Sequence, residues 1–91
     1  MPTYDEIRAE LAEYNPDAIM FEAPDYASAL VGWTHDYRAV YDMDLCIEHL
    51  VEHDGMTHEE AEECFSYNTL RALDYMDAEH RPVLLHRARE R

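Results

Sequence analysis

The spacing of apolar residues changes near residue 43, and this change limits what the chain can fold into. Apolar side chains alternate along 28–34 and again along 37–43, which is the period of a half-buried strand. From Asp44 onward the period is helical, with Met43, Cys46, Ile47 and Leu50 on one stripe. A hairpin followed by helices predicts an α+β domain with helices on one face of a small sheet.

The predicted hairpin spans about 28–43, with His35-Asp36 between its two strands. One face carries Ala29, Val31 and Trp33 on the first strand and Tyr37, Ala39 and Tyr41 on the second. His-Asp is not a preferred two-residue turn, which leaves room for a longer loop. Gly32 among bulky neighbours indicates a β-bulge or a close backbone approach.

Two capping boxes mark helix starts. Thr3 with Glu6 opens a helix at about 3–14, which Asn15-Pro16 ends. Thr57 with Glu60 opens another at about 57–75. Between them lies a helix at about 44–54, closed by Gly55. The apolar stripe of the last helix also includes a polar residue, Asn68; its other members are Ala61, Cys64, Phe65, Ala72 and Leu73.

The fold is therefore expected to be a small antiparallel sheet packed against about three helices. The run Ala18–Phe21 reads as an additional short strand, broken by residues 23–25, and residues 82–85 as a last strand or extended segment. The chain of 91 residues fits one domain at 1–80. Residues 81–91 form either a basic tail or a short extended segment.

The charge is large, negative and uneven. The whole chain carries −14 with neutral histidines; residues 1–80 hold 20 acids against three arginines, whereas residues 81–91 hold four arginines and Glu90. Such charge repels nucleic acid and attracts basic surfaces. It argues against direct DNA or RNA binding and favours a basic protein partner, with solubility alone as the alternative.

The chain shows no signal peptide and no run approaching the roughly 20 apolar residues of a membrane span. Two cysteines, Cys46 and Cys64, are too few for a disulfide framework. Both fall on apolar stripes and are read as inert core thiols. These features predict a cytosolic protein with reduced thiols and no membrane association.

The segment HLVEH, His49 to His53, matches the H-x-x-E-H pattern of one class of zinc peptidases. His49 and His53 share a helix face, and Glu52 would activate water. No separate motif supplies a third ligand, and the remaining acids are local. The favoured interpretation is that these residues form the solvent-exposed face of an amphipathic helix. A metal-dependent hydrolase is kept as a hypothesis that ranks behind the two non-enzymatic ones given below.

Other catalytic patterns are absent from the sequence. It has two glycines, no lysine, no C-x-x-C and no G-x-S-x-G. The prediction is a non-enzymatic protein with no cofactor and no metal.

Two sets of residues are candidates for binding. The first is an acidic face on the second and third helices, made of Glu48, Glu52, Glu59, Glu60, Glu62 and Glu63. Capping and the helix dipole explain some of these glutamates, but not the lack of compensating cations over 1–80. The second is an aromatic patch on the hairpin, formed by Trp33, Tyr37 and Tyr41 if that side of the sheet is left open.

The stretch from Asp25 to Met76 resembles small acidic proteins encoded by phages and prophages. Three segments carry the likeness: Arg38–Asp44 (RAVYDMD), Glu52–Ala61 (EHDGMTHEEA) and Tyr67–Leu73 (YNTLRAL). Phage accessory proteins of this size and charge are often inhibitors of host machinery or defences, and some mimic nucleic acid. By that analogy, the resemblance implies a phage accessory protein that acts in the cytoplasm of a bacterial host and inhibits or modulates a basic, nucleic-acid-binding host protein. The alternative is a homodimeric structural or regulatory module, assembled through the hairpin aromatics or the arginine-rich tail.

Overall fold

The computed structural model describes residues 3–22, 26–86 and 88. The elements are α1 (Tyr4–Tyr14), a 3₁₀ turn (Ala27–Ala29), β1 (Leu30–Trp33), β2 (Ala39–Asp42), α2 (Met43–Asp54), α3 (His58–Cys64), a π-helical segment (Phe65–Leu70), α4 (Arg71–Leu73) and β3 (Val83–Leu85). The α+β class is confirmed. The predicted break at 23–25 lies outside the described residues, as do positions 87 and 89–91 of the arginine-rich tail.

The sheet is mixed rather than wholly antiparallel. Strand order is β1-β2-β3, with β1 antiparallel to β2 and β3 parallel to β2. Val83 pairs with Val40, so the extended alternative for this part of the chain is the one observed. A parallel pair needs a long crossover, and here α2 and the following helical segments supply it.

A bulge near Gly32 changes which residues share a face of the hairpin. Leu30 pairs with Tyr41 and Gly32 with Val40, so Val31 is the extra residue on β1. Cross-strand partners lie on the same face. Leu30, rather than Val31, therefore lies on the face of Tyr41. Of the two alternatives predicted at Gly32, a β-bulge or a close backbone approach, the bulge is observed, whereas the simple alternation predicted for β1 is wrong.

The hairpin loop is longer than the two residues His35-Asp36, and spans 34–38 between the strands. The Tyr37 N–H donates to the Thr34 carbonyl at 3.0 Å, and the Arg38 N–H donates to the Thr34 hydroxyl at 3.0 Å. Tyr37 has φ +59°, a left-handed conformation that ends strand pairing. Tyr37 is thus a loop residue and not the first residue of the second strand.

Side chains cap α1 and α3 at the threonines that the sequence indicated, and α2 at Asp42, a cap that was not predicted. Thr3 accepts from the Glu6 N–H at α1, and Thr57 forms a full capping box with Glu60 at α3. Buried Asp42 caps α2, accepting from the N–H groups of Asp44 and Leu45. This cap directly joins the end of β2 to the start of α2.

The third predicted helix is interrupted by a π-helical segment. Helical backbone is continuous from His58 to Leu73, but the Arg71 N–H donates to the Ser66 carbonyl, five residues back. The wider turn rotates the residues that follow Phe65 relative to a regular α-helix. Phe65 is buried and Leu70 packs on the core, whereas Asn68 is exposed. The prediction that Asn68 lies on the buried stripe is therefore wrong.

The segment 18–21, predicted as a strand, belongs to no sheet. Its backbone is held instead by separate hydrogen bonds: Ile19 N–H donates to the His80 carbonyl at 2.8 Å, and Phe21 N–H donates to the Tyr41 hydroxyl at 3.2 Å. Phe21 is buried in the core. The core also contains buried residues from the helices, from β1 and β2 and from the 3₁₀ turn with the residue before it: Ile7, Leu11, Tyr26, Ala29, Leu30, Ala39, Tyr41, Cys46, Ile47, Leu50, Ala61 and Phe65. Among the described residues, no helix is both long and apolar enough to cross a membrane.

Candidate functional site

The six glutamates of the predicted acidic face are all exposed. Glu48 and Glu52 lie one turn apart on α2, whose other side is buried through Cys46, Ile47 and Leu50. The other four lie on α3, which packs against α2. Two adjoining helices thus hold all six carboxylates on a rigid part of the fold.

Two of these carboxylates are already engaged. Glu60 accepts from the Thr57 N–H at 2.9 Å, and this backbone hydrogen bond, helped by the Thr57 side chain, lowers the pKa of Glu60. Glu62 Oε1 lies 2.7 Å from Nε2 of His58, one turn back. Glu60 keeps its negative charge as a cap, while Glu62 is neutralised only when His58 is protonated.

The other four glutamates have no cationic neighbour among the described residues. Within the part of the chain that the structure describes, no arginine or histidine nitrogen lies within 4.0 Å of the carboxylates of Glu48, Glu52, Glu59 and Glu63. Arg38 pairs instead with Asp36 at 3.2 Å, and Arg71 lies over the ring of Tyr67. The acidic face therefore presents uncompensated negative charge to solvent.

The two histidines of the H-x-x-E-H motif lie ring against ring. The centroids of the His49 and His53 rings are 4.4 Å apart with the planes tilted by 33°, and the Tyr26 ring meets the His49 ring edge-on, with 5.4 Å between centroids. Glu52 is exposed beside them. Among the described residues, one group of three potential ligands converges, and it is elsewhere: Asp77, Glu79 and His80. The three residues of the motif do not form such a group.

The Asp77 cluster is a turn held by its own hydrogen bonds. Asp77 accepts from the Glu79 N–H at 3.0 Å and lies 2.9 Å from Nδ1 of His80. These contacts, the backbone hydrogen bond first, lower the pKa of Asp77. The carboxylate is thus already employed in local structure.

The predicted aromatic patch is not assembled. Tyr41 is 0% exposed, with its ring 4.6 Å from that of Phe21, so it belongs to the core. Tyr37 is half-buried and stacks on Tyr14 at 4.6 Å, and Trp33 at the end of β1 is 39% exposed. The inclusion of Tyr41 in an exposed patch is wrong, because the sheet face that carries it is covered.

A hollow beside the acidic face was not foreseen from the sequence. It measures 580 Å³ and is lined by Met56, Glu60, Glu63, Cys64, Tyr67 and Asn68. Tyr67 is 68% exposed, and the Arg71 guanidinium lies 4.8 Å from the centre of its ring. The sequence does place one aromatic residue, Tyr67, off the apolar stripe. The direction of its side chain, however, depends on the π-helical segment, which has no sequence pattern of its own.

The described surface thus combines fixed, uncompensated carboxylates with a neighbouring aromatic hollow. Such a surface attracts cationic groups, strongly at low salt and over a distance of roughly 10 Å. Neither protein-family models nor curated proteins nor solved structures give a match to this chain.

Proposed function

We propose that this protein is a non-enzymatic binding module whose acidic face, Glu48, Glu52, Glu59, Glu60, Glu62 and Glu63, engages a basic surface on another protein. The observation that carries the proposal is the set of four exposed glutamates without a cation within 4.0 Å among the described residues. Close like charges destabilise a fold, so their retention on a rigid helical pair favours a binding role over solubility alone.

The partner proposed is a nucleic-acid-binding protein. Its phosphate-binding surface carries the positive charge that this face lacks, and carboxylates on a rigid support can take the places of phosphates. The resemblance to small acidic phage proteins supports a role as a phage accessory protein that inhibits or modulates such a protein in the host cytoplasm. The net charge of −14 makes direct nucleic-acid binding unfavourable.

Affinity capture from bacterial lysate tests the proposal. The protein is immobilised and exposed to lysate with and without nuclease, at about 50 mM and about 500 mM salt, because screening shortens the reach of surface charge. We expect nucleic-acid-binding proteins, identified by mass spectrometry, to be captured at low salt, released at high salt and enriched after nuclease treatment. Capture that ignores salt, or that yields no nucleic-acid-binding protein, would contradict the proposal.

Matched variants separate the acidic face from general charge. Reversal of Glu59, Glu62 and Glu63 to lysine should abolish capture without unfolding the protein, since all three side chains are exposed. The control reverses three exposed acids of the other end of the chain, Asp5, Glu13 and Asp17, and changes the net charge equally. Equal loss of capture in both variants would mean that only overall charge matters.

The exposed aromatic rings at the hairpin end favour self-association as the second candidate. Tyr14 is 56% exposed while stacked on Tyr37, with Trp33 at the end of β1. Light scattering over a range of concentrations tests it. A concentration-dependent dimer that is lost on Trp33→Ala, or on deleting 87–91 with β3 left in place, would favour a homodimeric module over the binding of a basic partner.

A further inference from the structure

We propose that the hollow beside the acidic face receives a single arginine side chain from the basic partner. This inference rests on the proposed function and makes it specific, by naming one contact at which the partner would be held. The hollow is lined by Met56, Glu60, Glu63, Cys64, Tyr67 and Asn68. Its volume of 580 Å³ is within the range of about 300–1,000 Å³ usual for sites that hold a small group.

The charge at the rim selects a cation. Glu60 and Glu63 stand three residues apart on α3, so their side chains are neighbours on the helix surface. Glu63 has no cation within 4.0 Å among the described residues, and the Glu60 carboxylate is held in place by the Thr57 N–H. A guanidinium entering between them gains two charge-assisted contacts, one with a carboxylate that is already fixed.

The wall of the hollow suits the flat face of a guanidinium. Tyr67 presents an exposed ring, and Arg71 of the same chain already lies over that ring at 4.8 Å. The ring thus holds a guanidinium in the protein itself, and because Arg71 is not among the residues that line the hollow, an incoming side chain would meet the ring from the side of the hollow. Met56 offers a flexible thioether against which the aliphatic stem of an incoming side chain can pack.

Asn68 adds a hydrogen-bond acceptor. Its side-chain nitrogen donates to Sγ of Cys64 at 3.4 Å, which directs the amide. Asn68 is exposed and lines the hollow, and the carbonyl oxygen of its amide makes no hydrogen bond with the described residues. Carboxylates, a ring face and an amide oxygen together match the planar, five-donor guanidinium better than the compact ammonium of lysine.

The π-helical segment explains why these groups meet. Tyr67 and Asn68 lie within Phe65–Leu70, where the wider turn keeps Asn68 out of the core. Such segments are uncommon and often occur at functional sites. Here the distortion presents a tyrosine and an amide beside the carboxylates of the preceding α-helical turns.

A titration with a small probe tests the site without any captured protein. The probe is N-acetyl-arginine amide, and its neutral isostere, N-acetyl-citrulline amide, is the control. Binding is followed by NMR of the methionine methyl groups and tyrosine rings of the full chain at low salt. We expect saturable shifts at Met56 and Tyr67 with the arginine probe, weaker ones with the lysine analogue and none with citrulline.

One truncation that keeps the net charge, and two glutamate pairs that change it equally, locate the contacts. Tyr67→Ala should weaken probe binding about three- to fivefold, the usual contribution of an exposed cation–π contact. The pair Glu60→Gln and Glu63→Gln should weaken it about tenfold or more; glutamine at 60 preserves the capping box. The control pair, Glu13→Gln and Glu79→Gln, changes the net charge equally at two exposed positions outside the acidic face and should leave probe binding within about twofold.

The outcomes separate this inference from the proposed function. Equal weakening by both glutamate pairs, equal binding of citrulline, or shifts centred away from Met56 and Tyr67 would overturn the arginine site. If the probe fails while lysate capture keeps its salt dependence, the site falls and the proposed function stands. If the probe binds as expected but no nucleic-acid-binding protein is captured, the proposed function falls and the site stands.

Discussion

The hydroxyl of Tyr41 accepts a hydrogen bond from the backbone N–H of Phe21 at 3.2 Å, while the two rings lie 4.6 Å apart. One side chain of the central strand therefore both packs on the segment that follows α1 and fixes its backbone. Both residues are buried. This contact replaces the sheet pairing that the apolar run 18–21 had suggested.

Tyr41→Phe should destabilise the protein by about 1–2 kcal/mol, because it removes the hydroxyl that the buried Phe21 N–H uses while keeping the ring. Urea denaturation measures the free energy of unfolding. The control is Tyr75→Phe at a ring that is 87% exposed, where the change should stay within about 0.5 kcal/mol. Equal effects at the two positions would show that the hydroxyl of Tyr41 contributes nothing particular.

Gly55→Ala should lower the free energy of unfolding by about 1 kcal/mol. Gly55 ends α2 with φ +68°, a left-handed conformation that is unfavourable for a residue with a Cβ. No atom lies within 4 Å of a Cβ built there, so the cost is conformational and not a clash. Gly32→Ala is the matched control: its Cβ also meets open space, but its φ is not in the left-handed region. The midpoint temperature of thermal unfolding should be clearly lower for Gly55→Ala than for Gly32→Ala. The reverse order would contradict this explanation.

The carboxylate of Glu60 should stabilise the fold at neutral pH and lose that effect in acid. Its hydrogen bonds with Thr57 lower its pKa from 4.5, so the unfolded chain binds this proton more readily than the folded one. The stabilisation is therefore present above the unfolded pKa and disappears as the pH falls through the lower, folded value.

Glu60→Gln isolates this effect, since glutamine keeps a cap but does not titrate. The difference in free energy of unfolding between the wild type and Glu60→Gln should shift against the wild type as the pH is lowered from about 7 to about 3. Urea denaturation at a series of pH values measures it. A difference that stays constant over this range would be inconsistent with the lowered pKa.

The two thiols should react at very different rates. Cys46 is fully buried, and burial, with a smaller effect of the Asp42 charge, raises the pKa of its thiol to about 12. Cys64 is partly exposed beside the hollow. A thiol-specific reagent at mildly alkaline pH should modify one thiol of the native protein quickly and the second only on unfolding.

In the native protein, Cys64→Ser should remove the fast phase of thiol modification and leave the slow phase. In urea, both thiols of the wild type should be modified at similar rates. Two equally fast phases in the native wild type would show that Cys46 is accessible. Both cysteines lie on apolar stripes of the sequence and were predicted alike to be core thiols. In the structure Cys46 is buried and Cys64 is partly exposed.

Features encoded by neighbouring residues could be predicted from the sequence. The capping box at Thr57 and Glu60, the helix end at Gly55 and the bulge at Gly32 each depend on a few adjacent positions. The exposure of the six glutamates followed in the same way, from positions that lie off the apolar stripes.

Features that depend on distant partners could not be predicted. Residues 18–21 are held by Tyr41 and His80, far along the chain, and β3 joins β2 in parallel across some forty residues. The π-helical segment moved Asn68 out of the apolar stripe, because a period of 3.6 residues does not hold through it. The hollow could not be predicted for the same reason, since Tyr67 and Asn68 in its wall lie in the π-helical segment.

The parallel pairing of β3 with β2 has a consequence for the order in which the fold is built. The hairpin brings together residues fewer than a dozen apart, whereas Val83 must find Val40 after the whole helical crossover has been made. Closing a longer loop costs more chain entropy and slows the search for the partner strand. The hairpin and its helices can therefore form early during synthesis, and the outer strand that completes the sheet is added last.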